Sequence, residues 1–292
     1  MNSYHKFKLK EIKEKLFENL KNCTLCPREC KVNRLKEEEG FCKTTKFSKV
    51  SSYFLHFGEE PELVGSCGSG TIFFSNCNLG CLYCQNYSIS HLGEGIELEP
   101  KGLAKIMLEL QAQGAHNINF VTPTHVIAQI IEALEIAVKE GLNLPLVYNC
   151  GGYEKVETLK LVSGVFDIYM PDIKYSDNLL AEKFSCAPNY WEIVQEAVKE
   201  MHRQVGDLVV EEGIAKKGLI IRHLILPNNL AGSFKVLDFV KNLSIHTYIN
   251  IMDQYHPTYK AYKFKELLRT ITDEEYHQVI EYAKSIGLYR GF

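Results

Sequence analysis

Short apolar runs alternate with longer amphipathic segments from residue 71 onward. The apolar runs are typical of buried strands and lie at residues 71–75, 117–121, 145–149, 166–170, 219–225 and 247–251. Within residues 125–140, apolar side chains recur at the i, i+3, i+4 and i+7 positions of a helix with one buried face. Six strands that alternate with helices predict parallel βαβ units, which form either a doubly wound sheet or an incomplete (β/α) barrel.

The segment before residue 71 has a different pattern. Residues 9–21 predict an amphipathic helix, with leucines and an isoleucine on one side. A stretch rich in Lys, Arg and Glu follows, up to about residue 45, and it offers little apolar material for a core of its own. Residues 50–65 then alternate between apolar and polar in the manner of a strand.

Composition narrows the class of protein. The 292 residues are 46% hydrophobic and 24% charged, which suits a globular enzyme with a sizeable core rather than a disordered chain. With 33 Lys and Arg against 36 Asp and Glu, the net charge is -3, so electrostatics give no reason to expect nucleic acid or an anionic membrane as partner. No apolar run approaches the roughly 18–20 residues of a membrane span, and the N-terminal residues lack the apolar centre of a signal peptide. We therefore expect a cytoplasmic protein.

Ten cysteines fall mostly into two groups. The N-terminal cysteine group is Cys23, Cys26, Cys30 and Cys42, and the loop cysteines are Cys77, Cys81 and Cys84. In a cytoplasmic chain of this size, clustered cysteines indicate metal ligands before disulfides. Of the three remaining cysteines, Cys67 and Cys186 are expected to be small buried side chains, and Cys150 follows the third predicted strand.

The loop cysteines have the spacing C-x3-C-x2-C directly after the first predicted strand. A structural zinc site usually has four ligands, so zinc here would need a further ligand such as His91. A 4Fe–4S cluster held by three thiolates would instead leave one iron open to a substrate or cofactor.

The N-terminal cysteine group has the spacing C-x2-C-x3-C-x11-C. Four thiolates suit a closed zinc site or a complete 4Fe–4S cluster, and ligand softness does not choose between the two. Because the segment is polar, a metal would substitute for the core that it lacks. The remaining alternative is that these cysteines are reduced and hold no metal.

Around the loop cysteines the sequence GSGTIFFSNCNLGCLYCQN resembles the signature of the radical S-adenosylmethionine (SAM) superfamily, C-x3-C-x-aromatic-C, with Tyr83 as the aromatic residue. The stretches HFGEEPELVGSCGSGTIFF, TPTH and MDQYHPTYKA resemble, more narrowly, the PflX-type branch of the pyruvate formate-lyase activating enzyme group. The resemblance implies an α/β fold: a partial (β/α)6 TIM-like barrel over residues 67–292, preceded by a helix and a small cysteine-rich metal-binding extension over residues 1–66.

The resemblance also implies a site at the carboxyl ends of the strands, where barrel enzymes place their functional groups. Its residues beyond the cysteines are Tyr83, Asn86, Thr122, Asn149, Asp172, Lys174 and His256. Asp172 and Lys174 match the Asp-x-Lys of activating enzymes, so that Lys174 pairs with the SAM carboxylate and Asp172 orients it or holds a monovalent ion.

Two strand ends depart from the family pattern. Residues 122–125 are Thr-Pro-Thr-His where many members have Gly-Gly-Glu-Pro, so only the position is carried over, and Thr124 is equally suited to capping the helix that follows. Asn149 begins Asn-Cys-Gly-Gly where activating enzymes have Asp-Thr-Asn-Gly, which weakens the case for a bound cation. On the fifth strand, His223 is either a functional group or a hydrogen-bonded core residue.

The expected activity follows from the resemblance. One electron from a 4Fe–4S cluster cleaves SAM to methionine and a 5′-deoxyadenosyl radical, which abstracts a hydrogen from a substrate. The substrate is either a glycine of a glycyl-radical-type partner protein or a peptide or small molecule. The electron comes from a donor such as flavodoxin or ferredoxin. An iron–sulfur electron carrier is the non-enzymatic alternative, but electron transfer does not require a vacant iron.

Overall fold

The computed structural model of the protein describes residues 4–292, with side chains from Lys8 onward. Nine strands form the sheet: β1 Ser48–His56, β2 Ser69–Phe74, β3 Ile96–Leu98, β4 Ile118–Val121, β5 Leu146–Cys150, β6 Ile168–Pro171, β7 Val209–Glu211, β8 Ile214–Leu224 and β9 Tyr248–Met252. All six predicted strands are present, as β2, β4, β5, β6, β8 and β9.

Ten α-helices accompany the sheet in the described part of the chain. They are α1 Tyr4–Leu20, α2 Pro61–Val64, α3 Tyr87–Ser90, α4 Pro100–Ala112, α5 Ile127–Lys139, α6 Val156–Leu161, α7 Asn178–Ser185, α8 Tyr190–Val205, α9 Ser233–Leu243 and α10 Asp273–Ser285. Short 3-10 turns lie at Arg34–Lys36, Thr124–Val126, Pro227–Asn229, Ala261–Lys263 and Lys265–Leu267. None of these described helices is both long enough and apolar enough to cross a membrane.

The six predicted strands are parallel and neighbour one another in chain order, from β2 through β4, β5, β6 and β8 to β9. Within residues 4–292 no pairing joins β9 back to β2, so the sheet is open. This is the incomplete barrel of the two topologies that the alternation allowed. Because the strands are parallel, their carboxyl ends meet along one rim of the sheet, where the loops after β2, β4, β5, β6 and β9 converge.

Three further strands extend the sheet in antiparallel fashion. β1 pairs with β2 and with β3, and β7 pairs with the first residues of β8. β8 begins at Ile214, earlier than the predicted 219, because Lys216 and Lys217 interrupt the apolar run without interrupting the hairpin with β7. The two lysines therefore hid, in the sequence, the first part of β8, which pairs with the exposed strand β7.

The core lies between the strands and the helices. β5 and β6 are buried along their whole length, as expected for strands covered on both faces. α1 packs against α5 and buries the apolar stripe predicted from its sequence, with Leu9, Ile12, Leu16 and Leu20 at most 2% exposed. The N-terminal helix thus shares the core of the barrel.

Residues 21–47 contain one 3-10 turn and no helix or strand. Two backbone hydrogen bonds fold the segment back on itself: the amide of Cys23 donates to Val32 O at 2.9 Å, and the amide of Lys31 donates to Cys23 O at 2.9 Å. The segment runs along the rim of the barrel between α1 and β1 and contributes few apolar side chains to the core.

Candidate active site

The loop after β2 carries Cys77, Cys81 and Cys84, and each sulfur has a hydrogen-bonding neighbour. The amide of Leu79 donates to Cys77 Sγ at 3.3 Å, and the Ser185 hydroxyl donates to Cys81 Sγ at 3.0 Å. Cys84 Sγ lies 3.1 Å from the hydroxyl of Ser90. These contacts hold the three sulfurs in place at the carboxyl end of β2.

Burial controls the protonation of these thiols. It raises the pKa of Cys77 and of Cys81 well above the ordinary value for a thiol, and the nearby Lys174 only partly opposes the effect. Metal ligation is the usual way in which such buried thiols become thiolates, because the ion's own charge replaces the lost hydration. The donor set is therefore three thiols, of which Cys81 is buried and Cys77 and Cys84 are half-buried, and it favours a cationic occupant.

The loop is anchored to the end of α7. The amide of Gly80 donates to Ser185 O at 2.9 Å, and the amide of Leu82 donates to Phe184 O at 2.8 Å. The next residue, Cys186, is the left-handed cap of α7, with φ 51°, and its sulfur lies beside Gly80. Cys186 is exposed, so the expectation that it is a buried side chain is wrong: a helix cap at the surface cannot enter the core.

Cys67 is also exposed, against expectation. It lies in the turn between α2 and β2, where its amide donates to the ring of His116 at 3.2 Å. Burial was expected because a single free cysteine is usually a small buried side chain, but residues 65–67 of this turn are exposed.

Tyr83 is 5% exposed and lies under the loop. The Tyr175 hydroxyl donates to that of Tyr83 at 2.6 Å and lies 2.8 Å from the hydroxyl of Ser185, which in turn donates to Cys81 Sγ. Tyr83 also makes edge-to-face contacts with Tyr175 and Tyr255. These contacts hold the ring of Tyr83, and with it this part of the loop, in place. Burial raises the pKa of its phenol.

Two adjoining cavities lie at this rim. The first, of about 160 Å³, is lined by the three loop cysteines together with Asn86, Thr122, Asn149, Cys150, Asp172 and Lys174. The second, of about 330 Å³, shares Cys81, Cys84, Asn86, Asn149, Asp172 and Lys174 with the first and adds Tyr83, His56, Glu59, Gln85 and Gln254. Of the seven predicted residues beyond the cysteines, the structure brings six to these cavities.

A network of charges forms one wall of both cavities. Asp172 accepts from Lys174 Nζ at 2.7 Å on one carboxylate oxygen and from Arg222 Nε at 2.8 Å on the other. Burial alone would raise the pKa of Asp172, but Arg222 and Lys174 lower it to about 2. Burial would likewise lower the pKa of Lys174, but Asp172 holds it well above its usual value. All three side chains are therefore charged, with one net positive charge.

The sequence reasoning missed Glu59 and the role of Arg222. Arg222 donates to Asn149 Oδ1 at 2.8 Å and pairs with Glu59 at 3.3 Å, and Glu59 also lies 3.2 Å from His56 Nδ1. Arg222 was visible as a charged residue within an apolar strand. Nothing comparable marked Glu59, because it follows β1, which is not one of the parallel strands.

Thr122 begins the turn after β4 in the left-handed conformation, with φ 62°, and its amide donates to Asn149 O at 2.8 Å. Thr124 does not cap α5, so that prediction is wrong; its hydroxyl donates to Glu154 at 2.5 Å. Thr124 is the first residue of a 3-10 turn that precedes α5, and this turn moves its hydroxyl away from the helix amides. Burial raises the pKa of Glu154 to about 7.

The histidines divide into different environments. His256 is exposed and does not line either cavity; its ring lies 3.3 Å from the side chain of Gln85. His223 is fully buried and contacts Ile173 O at 2.7 Å and the Ser233 hydroxyl at 2.8 Å, as a hydrogen-bonded core residue does. His91 contacts Cys81 O at 2.9 Å through Nε2.

The N-terminal cysteine group surrounds a separate, enclosed cavity of about 20 Å³, which Arg28, Arg34 and His125 also line. Burial raises the pKa of Cys26 to about 12 and also raises that of Cys42. Among the described side chains, neither this group nor the loop cysteines are spaced as ligands of one metal ion.

Comparison with known proteins gives the family. A family model described as the Radical SAM superfamily matches residues 71–211. The uncharacterized protein MJ0674 of Methanocaldococcus jannaschii is 36% identical over 98% of this chain and 81% of its own length.

Solved structures share the fold at low sequence identity. A radical SAM methyltransferase from Sphaerobacter thermophilus is 14% identical with a TM-score of 0.53, over 76% of this chain and 65% of that protein. A structure of anSMEcpe with AdoMet and the Cp18Cys peptide bound is 12% identical with a TM-score of 0.51, over 72% of this chain and 56% of that protein. The chain thus spans less than two thirds of either protein. The family match and the shared fold agree, and the chain belongs to the radical SAM superfamily.

Proposed function

We propose that the loop cysteines hold a 4Fe–4S cluster beside a SAM site, and that the enzyme uses the resulting radical to take a hydrogen atom from its substrate. The observation that carries the proposal is that three thiols of one loop share a cavity with a charged network from neighbouring strand ends. When bound, such a cluster supplies the electron that cleaves SAM to methionine and a 5′-deoxyadenosyl radical.

The residues present fit this pair of cofactors. The loop supplies three thiols, which leave one iron free for a ligand; Cys150 also lines the cavity but lies at the end of β5, where it hydrogen-bonds to Glu154. The neighbouring cavity of about 330 Å³ is within the range of small-molecule sites. The cavity walls combine apolar and aromatic residues with a few charged and amide groups, which suits a ligand that carries both an adenine and an amino acid.

Lys174 is the residue that we assign to the SAM carboxylate. Asp172 accepts a hydrogen bond from its ammonium group at 2.7 Å. The hydroxyl of Tyr190 accepts a hydrogen bond from the backbone amide of Lys174 at 2.9 Å. Because Arg222 takes the second oxygen of Asp172, the carboxylate orients Lys174 without neutralising the wall. Both oxygens of Asp172 are thus engaged, so orientation of Lys174 is favoured over binding of a monovalent ion.

The other predicted residues take supporting roles in the proposal. The amides of Asn86 and Asn149 face the cavities and provide donors and acceptors for SAM, and Thr122 contributes backbone to the same wall. Tyr83 packs under the loop and keeps water away from it. His256 would join the site only from the rim, by way of Gln85. In functional terms, residues 67–292 form the catalytic unit and residues 1–66 a metal-binding extension, for which a second site is argued below.

For the substrate, we propose a glycyl-radical-type partner protein, in line with the resemblance to activating enzymes. The larger cavity reaches the exposed side chains of Gln85 and Gln254, so a loop of a partner protein can approach it from solvent. Radical modification of a peptide or small molecule is the second candidate, since anSMEcpe, which shares the fold, is seen with a peptide bound. Flavodoxin or ferredoxin is the proposed electron donor, and the cytoplasm is the proposed location.

The test is anaerobic reconstitution of the full chain with iron and sulfide, followed by dithionite and SAM. We expect 5′-deoxyadenosine and methionine as products, and a glycyl-radical EPR signal when the correct partner protein is added. The Cys67→Ala variant is the matched control, because this cysteine is exposed and outside the site. Cluster-loaded protein that yields no 5′-deoxyadenosine would contradict the proposal, and turnover of free peptides alone would favour the second candidate.

A further inference from the structure

The N-terminal cysteine group encloses a cavity whose size, charge and unpartnered donor all indicate an occupant. It lies outside the catalytic cavities and is lined by Cys23, Cys26, Cys30, Cys42, Arg34 and His125, among others. We propose that it binds a second 4Fe–4S cluster through its four thiolates. The inference is independent of the substrate but builds on the proposed function of the barrel.

The size of the cavity distinguishes a cluster from a single ion. In a zinc site, four sulfurs lie about 2.3 Å from the metal and are in contact with one another, so no room for water remains between them. Here the cavity measures about 20 Å³, more than the roughly 10–15 Å³ that one water requires. The described cysteines are also not spaced as ligands of one ion. A cubane cluster needs this wider separation of its thiolates.

Charge is the second observation. Arg34 is 1% exposed, and its guanidinium donates twice to Thr45 O, at 3.3 and 3.1 Å, and once to Cys23 Sγ at 3.9 Å. No carboxylate among the described residues pairs with it. Arginine is rarely buried without an anionic partner, since the loss of hydration is costly. A cluster with four thiolates is anionic and supplies the missing counter-charge.

An unpartnered donor is the third observation. Nη2 of Arg28, which lines the cavity, is buried and has no partner among the described residues. Buried donors are normally satisfied, so this one indicates an acceptor in the cavity, and the thiolates and sulfides of a cluster are acceptors. His125 is 1% exposed and also lines the cavity, and its Nε2 donates to Ser75 O at 2.9 Å.

The chain around the cysteines is shaped for close enclosure. A Cβ at Gly40 would lie 2.8 Å from Cys30 Sγ, so only glycine allows the turn before Cys42 to pass so near. The amide of Phe41 donates to Cys30 Sγ at 3.4 Å, and the guanidinium of Arg28 covers the Phe41 ring at 3.7 Å. These contacts close the cavity on its outer side.

Two contacts join this site to the loop cysteines. Arg28 Nε donates to Asn78 O at 2.9 Å, and His125 binds Ser75 O; these carbonyls flank Cys77. The second cluster is thus in contact, through side chains, with the backbone that positions the first. This arrangement suits passage of one electron from a reduced N-terminal cluster, itself reduced by a flavodoxin- or ferredoxin-type donor, to an oxidised cluster on the loop.

The experiment compares iron and sulfide in two anaerobically reconstituted full-length variants. The Cys77→Ala, Cys81→Ala, Cys84→Ala variant should retain about four irons and four sulfides per chain, and the Cys23→Ala, Cys26→Ala, Cys30→Ala variant about four fewer than wild type. Wild type itself should hold about eight, which Mössbauer spectroscopy can count even if a variant folds poorly. About one zinc without sulfide in the first variant, or no metal in it, overturns the proposal. Since SAM cleavage by wild type is scored separately, failure here is distinct from failure of the proposed function.

A second measurement addresses Arg34 in the variant that lacks the loop cysteines. Arg34→Gln should shift the midpoint potential of the remaining cluster to a more negative value, because a positive charge that favours the reduced form is removed, whereas Arg34→Lys should restore most of it. A redox EPR titration reads the potential without any activity assay. Equal potentials in all three proteins would refute the counter-charge role of Arg34.

Discussion

The two cysteine groups of this chain present the same side chain in opposite surroundings. The loop cysteines follow a buried strand, are tied to α7 by backbone hydrogen bonds, and face cavities of about 160 and 330 Å³ that reach solvent. The N-terminal cysteine group lies on a segment almost without regular structure and encloses about 20 Å³. The fold thus positions the loop cysteines, whereas under our proposal a bound metal group stabilises the N-terminal segment.

Charge follows the same division. Around the loop cysteines each cation has a carboxylate partner, since Asp172 pairs with Lys174 and Arg222, and Glu59 also pairs with Arg222. Around the N-terminal group, Arg34 is buried without a carboxylate. A buried cation without a carboxylate partner suits an anionic occupant.

The largest expected effect comes from replacing the loop cysteines. Replacing Cys77, Cys81 or Cys84 by Ala should reduce SAM cleavage to background, because each removes one of only three ligands. The measurement is 5′-deoxyadenosine formed per chain under dithionite. The Cys67→Ala control should behave as wild type, and a loop variant that cleaves SAM normally would show that the assignment is wrong.

Removal of N-terminal ligands should act on stability rather than directly on SAM. We expect the paired substitution Cys26→Ala and Cys42→Ala to lower the thermal midpoint of the reconstituted protein by at least about 10 °C, since loss of a structural metal site costs several kcal/mol and each kcal/mol corresponds to about 2–4 °C in chains near this size. Differential scanning calorimetry measures it. An unchanged midpoint would mean that the segment is held by protein contacts alone.

Glu154 tests the boundary between the two regions. Its carboxyl accepts from Thr124 and Tyr148, and burial raises its pKa from 4.5 to about 7. The raised pKa gives stability that is complete below pH 4.5 and is lost as the pH rises through 7, by about 3 kcal/mol. Glu154→Gln should remove this loss, so that the variant gains on wild type in urea unfolding at pH 8 relative to pH 5. The exposed Glu157→Gln serves as control; equal pH profiles for all three proteins would exclude a raised pKa.

The smallest effect concerns the open site. Lys174→Ala should weaken SAM binding about 10- to 150-fold, which corresponds to the roughly 1.5–3 kcal/mol of a charged hydrogen bond, while iron content changes little. Calorimetric titration of SAM onto cluster-loaded protein gives the Kd, and the exposed Lys241→Ala on α9 is the control. A Kd equal to that of wild type would leave Lys174 a partner of Asp172 only.

Apolar periodicity located all six parallel strands to within a few residues, because strands buried on both faces must be continuously apolar. The antiparallel strands are harder to recognise from the sequence: β7 is exposed, and the part of β8 that pairs with it contains Lys216 and Lys217. Within the site, Asp172, Lys174 and the cysteines follow from a linear motif. Glu59 and the enclosure by His125 and Arg34 do not, since each is brought in by tertiary contacts from a distant segment.

Thr122 carries a further consequence of the strand-end geometry. A β-branched residue in the left-handed region costs roughly 1–2 kcal/mol, and Thr122 adopts it at φ 62° where many members of the superfamily begin a Gly-Gly pair. Thr122 thus adopts a backbone conformation that glycine adopts freely, and the hydrogen bond from its amide to Asn149 O helps to maintain it. The backbone of Thr122 is therefore strained beside the cavity, and contacts with the rest of the fold must offset this conformational free energy.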